Sequence, residues 1–219
     1  PGTQAGDRGV LPWTVPLRSQ PAAGYHRLLV RIGSGAAIPL RLVVTPAQCY
    51  QPGVLQDDKR LWGITLQLYT LRSAENWGIG DFGDLAGVIE LAAPLGCGLI
   101  GLNPLHALFP AEPDHISPYS PSSRQFLNPL CICLPRIPGA QACGRLRQLL
   151  QSEGIERLAR LRASANVDYP AVAALKLQWL KVLHEEFRLH DLSVDTERAR
   201  SFRGFVEQGG SALRLHAVF

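Results

Sequence analysis

An α/β fold follows from three features of this 219-residue chain. Two apolar runs flank an amphipathic stretch across residues 62–105, which is the pattern of a parallel βαβ unit. Two alternating runs joined by a Gly-containing turn precede it. From about residue 141 onward, apolar residues recur at three- and four-residue spacing.

Each element has its own sequence reason. Residues 1–20 are rich in Gly and Pro and read as an irregular entry. "YHRLLVRIG" (25–33) and "IPLRLVVTP" (38–46) alternate and are joined around Ser34-Gly35, which predicts a hairpin. Two strands alone are marginal in water, so this hairpin needs further sheet, in the fold or outside this chain. "PGVLQDDKR" (52–60) combines Pro, Gly and a charge run and reads as a linker. "WGITLQLYTL" (62–71) predicts a buried strand, and "DFGDLAGVIELAAPLG" (81–96) a helix with Leu85, Val88, Ile89 and Ala92 on one face, stopped by Gly96. "CGLIGLNPL" (97–105) predicts a second buried strand. A long polar segment (106–126) and a short apolar run, "NPLCICL", lead into the helical region.

Composition excludes several classes. With 46% hydrophobic and 18% charged residues the chain is globular. A net charge of +4 without an interleaved basic and aromatic cluster argues against nucleic acid as a partner. No run of eighteen apolar residues predicts a membrane span, and no signal peptide is visible. The five cysteines Cys49, Cys97, Cys131, Cys133 and Cys143 make no CxxC pair and lie near no His at finger-like spacing, so no metal site is expected. If Cys131 and Cys133 lie on a strand they face the same side, but an i, i+2 disulfide there is poorly shaped. Buried free thiols, and with them a cytoplasmic location, are the expectation.

The stretch "ENWGIGDFGDLAG" contains Gly78-x-Gly80-x-x-Gly83, the spelling of a dinucleotide loop. Such a loop puts its first glycine directly after a strand, yet six residues separate Leu71 from Gly78. No acidic residue ends the second strand, which reads Asn103-Pro-Leu. Asp81 and Asp84 have the spacing of an N-cap and its N3 carboxylate, which would occupy the helix N-terminus with the protein's own charges. No nucleotide or other cofactor is therefore expected. Trp77 in this loop either plugs it against neighbouring structure, the preferred reading, or offers an aromatic face to a sugar.

The segments "LWGITLQLYTLRSAENWGIGDFGDL", "LIGLNPLHALFP", "SPYSPSSRQFLNPL" and "VDYPAVAALKLQWL" together resemble bacterial 4-α-glucanotransferase, the amylomaltase or disproportionating-enzyme family of the α-amylase-like (β/α)8 TIM barrels. "GYHRLLVRI" and "LRLVVTPAQCY" resemble the end of the β-sandwich that precedes the barrel in longer bacterial members. The resemblance implies four segments. These are the end of an incomplete sandwich (1–52), a linker (53–60), the first βαβ of the catalytic barrel (61–140) and a truncated helical insert (141–219).

It also implies a cytoplasmic transferase of glycogen and maltodextrin metabolism. That enzyme moves 1,4-α-glucan segments between maltooligosaccharides, or to glucose, by a retaining double displacement without cofactor or metal. Such chemistry needs a nucleophilic carboxylate and a second carboxylic acid about 5–5.5 Å away. In the family these lie on later barrel strands, so no catalytic residue is expected in this chain, and the isolated chain is expected to be inactive and poorly stable. Asp81 and Asp84 read as helix caps, Glu112 and Asp114 lie among loop prolines, and Glu185, Glu186 and Glu207 fall on helix surfaces.

The substrate-binding candidates are five. The resemblance puts Tyr119 against the donor sugar with Ser117 close by, and Pro118 stiffening their loop. Alone, Tyr119 would read as a half-buried loop aromatic. Asn103 and Asn128 precede prolines, so each is a turn former or a group at the mouth of the site. His106 follows the second strand and is a structural group or part of the lining. After Asn128-Pro-Leu the relatives carry Tyr or Ile and then Asp, whereas this chain reads Cys131-Ile-Cys133. That replaces a polar position by a thiol. Two further readings stay open: an α-glucan hydrolase on the same barrel, and a non-catalytic glucan-binding or scaffold protein.

Overall fold

The computed structural model describes residues 14, 16–17, 19–55 and 60–218. The irregular entry and the linker's charge run fall largely outside them. The chain forms two compact units, Pro1–Lys59 and Arg60–Phe219.

In the first unit, β1 (Gly24–Val30) pairs antiparallel with β2 (Ile38–Val44), from Gly24 opposite Val44 to Val30 opposite Ile38. Gly33 takes φ +56°, and the Gly35 N–H donates to Ile32 O at 3.1 Å, so the turn needs glycine where the sequence placed it. His26, Leu28 and Val30 are half-buried while Tyr25 and Leu29 stand in solvent, as a period of two requires.

In the second unit, β3 (Gly63–Leu66) and β4 (Leu99–Leu102) are parallel, with α1 (Phe82–Ala92) between them in sequence. This is the expected βαβ unit with shorter strands. After Leu66 the chain tightens into a 3-10 turn, Leu68–Thr70, and Pro104, which lacks an N–H, closes off the second strand. The strands differ from expectation in burial too: Leu99 is 60% and Ile64 36% exposed. A two-stranded sheet has no flanking strand, so residues suited to burial on both faces remain uncovered among the described residues. Gly96 ends the helical stretch at φ +79°, as expected of a left-handed C-cap.

The polar segment is a long-looped ribbon. β5 (His106–Ala107) pairs antiparallel with β6 (Ser123–Leu127). Ser122 closes the loop between them, its Oγ donating to Ala107 O and Leu108 O at 3.1 and 2.6 Å. "NPLCICL" is no strand. Pro129 and Pro135 cannot donate to a ladder, and the chain makes 3-10 turns at Pro129–Cys131 and Leu134–Arg136.

The helical region is as expected, with breaks. α2 (Gly144–Leu149) runs through a wide π turn into α3 (Ile155–Ala163). α4 (Tyr169–Phe187) starts at an Asp168 cap, whose Oδ1 accepts from Ala171 N at 3.0 Å. α5 (Glu197–Val218) is interrupted at Gly210 (φ 52°, ψ −140°), a conformation only glycine adopts cheaply. The core of this unit is built on α4: Val172, Leu175, Trp179 and Leu183 meet Leu158 and Leu161 of α3, Leu130 and Leu134 of the turns, and Trp77 and Ile79 of the glycine loop.

Candidate functional site

The glycine loop is held from both sides. Asp81 caps α1 through Gly83 N, which donates to Oδ1 at 2.8 Å, and Asp81 N donates back to Asp84 Oδ2 at 2.8 Å. The helix N-terminus is thus filled by carboxylates, and the geometry leaves no place there for the phosphate that the spelling of the loop suggests. Gly78 has φ +82°, and a Cβ there would lie 2.6 Å from Leu161 Cβ, so this glycine lets α3 approach the loop. Asn76 is buried, bonding Leu71 O and Gly78 N at 3.2 and 3.1 Å. Arg72 donates to Gly78 O at 2.8 Å, and Arg162 of α3 to Asn76 O at 2.6 Å. Trp77 is buried edge-on against Trp179, with centroids 4.5 Å apart. It plugs the loop, as preferred, but against α4.

Beneath the loop lies a buried ion pair. Lys176, fully buried on α4, donates to Asp81 Oδ2 (3.1 Å), Leu130 O (2.8 Å) and Ile132 O (2.9 Å). Three acceptors satisfy the three ammonium donors. One side chain therefore ties α4 to the cap of α1 and to the chain after Asn128. Sequence reasoning missed it, although a lone cation on the apolar stripe of "AVAALKLQWL" was the available signal.

The candidate sugar contacts divide. Tyr119 is 68% exposed in the loop between β5 and β6. Ser117, two residues earlier, is half-buried and lines a cleft of about 680 Å³ with Tyr69, Arg72, Asn166 and Tyr169. Asn128 lines a narrow crevice beside Phe109 and His115, and Tyr169 belongs to both depressions. The turn-forming role of Asn128 is also present, since its Oδ1 accepts from Leu130 N at 2.9 Å. Asn103 accepts from Leu68 N at 3.2 Å, joining the end of β4 to the turn after β3. His106 is half-buried on β5 opposite Leu127. Tyr69, Arg72 and Tyr169 were not singled out from sequence. Tyr169 follows a cap and precedes Pro170, a helix-start pattern that masked its place at a cleft.

The surface acids have ordinary partners. Arg145 bridges Glu185 (2.9 Å) and Glu186 (3.5 Å), while His115 is 4.0 Å from Glu112. No group of three His, Cys, Asp or Glu suited to a metal occurs among the described residues, and no described helix is long and apolar enough to cross a membrane. All five cysteines are free; Cys131 and Cys143 are buried, Cys97 and Cys133 intermediate, and Cys49 exposed, so burial holds for only part of the set.

Burial pushes the Cys131 thiol up to about 11 from its ordinary 9.0; the Lys176 charge opposes this and Asp81 adds to it. The folded chain then keeps a proton that the unfolded chain releases. Stability from this group is present below about pH 9 and declines as pH rises toward 11. Urea unfolding between pH 8 and 11 should show that decline, with a shallower slope in Cys131→Ala. At pH 8 a thiol reagent should label Cys49 well before Cys131.

A parallel βαβ unit, a ribbon and a helical region whose core takes in the glycine loop define a mixed α/β protein, and a solved structure matches it. The crystal structure of amylomaltase from Corynebacterium glutamicum superposes with a TM-score of 0.70 at 30% identity, covering 88% of this chain and 26% of that one. Residues 66–219 match the model of the 4-alpha-glucanotransferase family, glycoside hydrolase family 77, and the chain belongs to that family. A 4-alpha-glucanotransferase from Haemophilus influenzae is 39% identical over 197 residues, 90% of this chain and 28% of the relative. One from Mycobacterium tuberculosis is 36% identical over 219 residues, 93% of this chain and 27% of the relative. The chain thus spans just over a quarter of the length of these relatives.

Proposed function

We propose that this chain is part of a 4-α-glucanotransferase that moves 1,4-α-glucan segments from one maltooligosaccharide to another, or to glucose, by a retaining double displacement. The observation that carries the reading is the family match across residues 66–219, the same region that holds Ser117-Pro118-Tyr119 beside a tyrosine-lined cleft. In this reading Tyr119 offers its ring to the donor sugar, its exposed face being free to stack, and Ser117 supplies a hydroxyl from the adjoining wall. Asn128, Asn103 and His106 shape the mouth, the two asparagines chiefly by holding turns.

The nucleophile and the acid–base carboxylic acid are assigned to protein outside these 219 residues. Asp81 and Asp84 are engaged in the helix cap, and Glu185 and Glu186 in pairs with Arg145. The exposed apolar faces of β3 and β4 support a larger sheet: residues 61–140 as the first βαβ of a (β/α)8 barrel, and 141–219 as its helical insert. The β1–β2 hairpin fits the end of a sandwich domain (1–52), with 53–60 as linker. The five free cysteines fit a cytoplasmic protein.

The test is product analysis on maltotriose with the protein expressed from its complete reading frame. Glucose together with longer oligomers is expected, and Tyr119→Ala should lower kcat/KM about tenfold, the loss of roughly 1.4 kcal/mol of transition-state binding. Glucose and maltose alone would make the protein a hydrolase, and binding without turnover a non-catalytic glucan binder. Disproportionation by the isolated 219-residue chain would overturn the assignment of the carboxylates elsewhere.

A further inference from the structure

The last helix, α5, is bent into two halves that are held very differently. At Gly210 the backbone takes φ 52° and ψ −140°, far from helical values, and the helix resumes beyond it to Val218. The first half is anchored. Arg198 lies 4.7 Å over the Phe187 ring and 3.2 Å from Asp191 Oδ2, and Phe202 meets Phe187 edge-on at 5.4 Å. Among the described residues, the ion pairs of α5 all belong to this half, at Arg198, Arg200 and Arg203.

The second half, Ser211–Val218, is held by less. Leu215 and Val218 stand in solvent, and the aromatic contact is a single stack. The His216 ring lies flat on Phe126 of β6, with centroids 4.1 Å apart and 3° between the planes. The ribbon that carries Phe126 is itself irregular: it pairs His106 with Leu127 and Ala107 with Ser123, with a register shift between them. Its loop (108–122) holds Ser117 and Tyr119. Both glycines at the bend are needed for this pose. Alanine at 210 would be driven away from φ 52°. A Cβ at 209 would lie 2.7 Å from Leu213 Cβ, so glycine there lets Leu213 fold back over the bend. In a straight helix, glycine is the poorest former after proline, so the pair also disfavours the unbent alternative. The glycines thus favour a bend, and the stack fixes its direction.

We propose that Ser211–Val218 is a strap that pivots at Gly209–Gly210. Docked, it presses His216 onto Phe126 and steadies β6 together with the loop that leads into it. Released, it runs on from the first half of α5 as a straight helix and leaves the ribbon free. The two positions lie close in free energy. The docked one is held by a ring pair whose loss shifts such an equilibrium only ~2–10-fold. The released one is opposed only by two glycines within one helical turn. A modest perturbation at either point therefore moves the strap, and with it the firmness of the ribbon.

Amide hydrogen exchange, followed by mass spectrometry on the protein expressed from its complete reading frame, tests this. His216→Ala should speed exchange ~2–10-fold in both 123–127 and 211–218, and leave 172–183 of α4 unchanged. Gly210→Ala should move the two segments in opposite directions. Exchange should quicken in 123–127, because the strap leaves Phe126, and slow in 211–218, because a continuous helix gives regular partners to the N–H groups after the bend. In Gly210→Ala/His216→Ala, residues 123–127 should exchange as in Gly210→Ala alone, since the stack is already broken. Gly204→Ala, at a helical glycine with open space around it, should leave 123–127 as in the parent. Exchange in 123–127 that neither His216→Ala nor Gly210→Ala alters overturns the strap, as does an additive effect in the double variant. Gly210→Ala that also loosens 172–183 overturns it too, because a bend the whole fold requires is no pivot.

Discussion

Lys176→Met is expected to remove about 3–5 kcal/mol of stability, the usual cost of leaving one member of a buried ion pair alone. Its Nζ is surrounded by Asp81 Oδ2, Leu130 O and Ile132 O at 2.8–3.1 Å, and Asp81 is only 2% exposed, so its charge is left poorly solvated once the ammonium is gone. Methionine fills the volume of the stem, so the loss reports charge and hydrogen bonding more than packing. Asp81→Asn in the same background should restore part of it. The amide oxygen can still accept from Gly83 N, and the uncompensated charge disappears. Urea unfolding of the single and double variants measures both effects. A single variant within 1 kcal/mol of the parent would show that the pair contributes little. A domain's total stability is only about 5–15 kcal/mol, so the single variant should also be scarce as folded protein.

The second large effect is expected at Trp77. Truncation to alanine empties the space against Trp179 and detaches the glycine loop from α4, which should cost about 3–5 kcal/mol. That corresponds to a fall in Tm of roughly 10 °C. Trp77→Phe, keeping an aromatic edge, should lose less than half as much. If Trp77 were instead a sugar-stacking surface, Trp77→Ala would weaken maltoheptaose binding while leaving Tm unchanged. At 4% exposure the residue has almost no face to offer a ligand, and the stability outcome is the one its burial predicts.

Asp81 and Lys176, the two ends of the buried pair, differ in how far the sequence reveals them. The Asp81-x-x-Asp84 spacing was legible as a helix cap because a cap is local: both partners lie within one turn of the backbone. Gly96 was legible as a helix stop for the same reason. Lys176 was not, because its three acceptors come from positions 81, 130 and 132, and no short-range pattern announces that α4 will pass beneath the loop. The strands after 62 and 97 were placed but overextended: an apolar run signals burial without saying which residues pair and which turn inward as a 3-10 segment. "NPLCICL" shows the converse: a short apolar run makes 3-10 turns and not a strand, because Pro129 and the following Pro135 offer a ladder no donors.

The site divides along the same line. Ser117 and Tyr119 were read from a contiguous motif, and Ser117 does line a cleft. Tyr69 and Tyr169, which line the same cleft, are a hundred residues apart in sequence and come within 6.5 Å only through the packing of the start of α4 near the turn after β3.

From sequence alone came the α/β class, the βαβ order, the hairpin, the helical region, the filled helix N-terminus that bars a nucleotide, and the family resemblance. All depend on neighbours within a few residues or on ordered contiguous motifs. Tertiary structure alone decided that Trp77 packs on Trp179 of α4, that Lys176 is buried and fully bonded, that the parallel strands keep exposed apolar faces, and that two distant tyrosines share a cleft with Ser117. Those depend on which distant segments pack together, and burial and pairing are properties of that packing, not of any one stretch of chain.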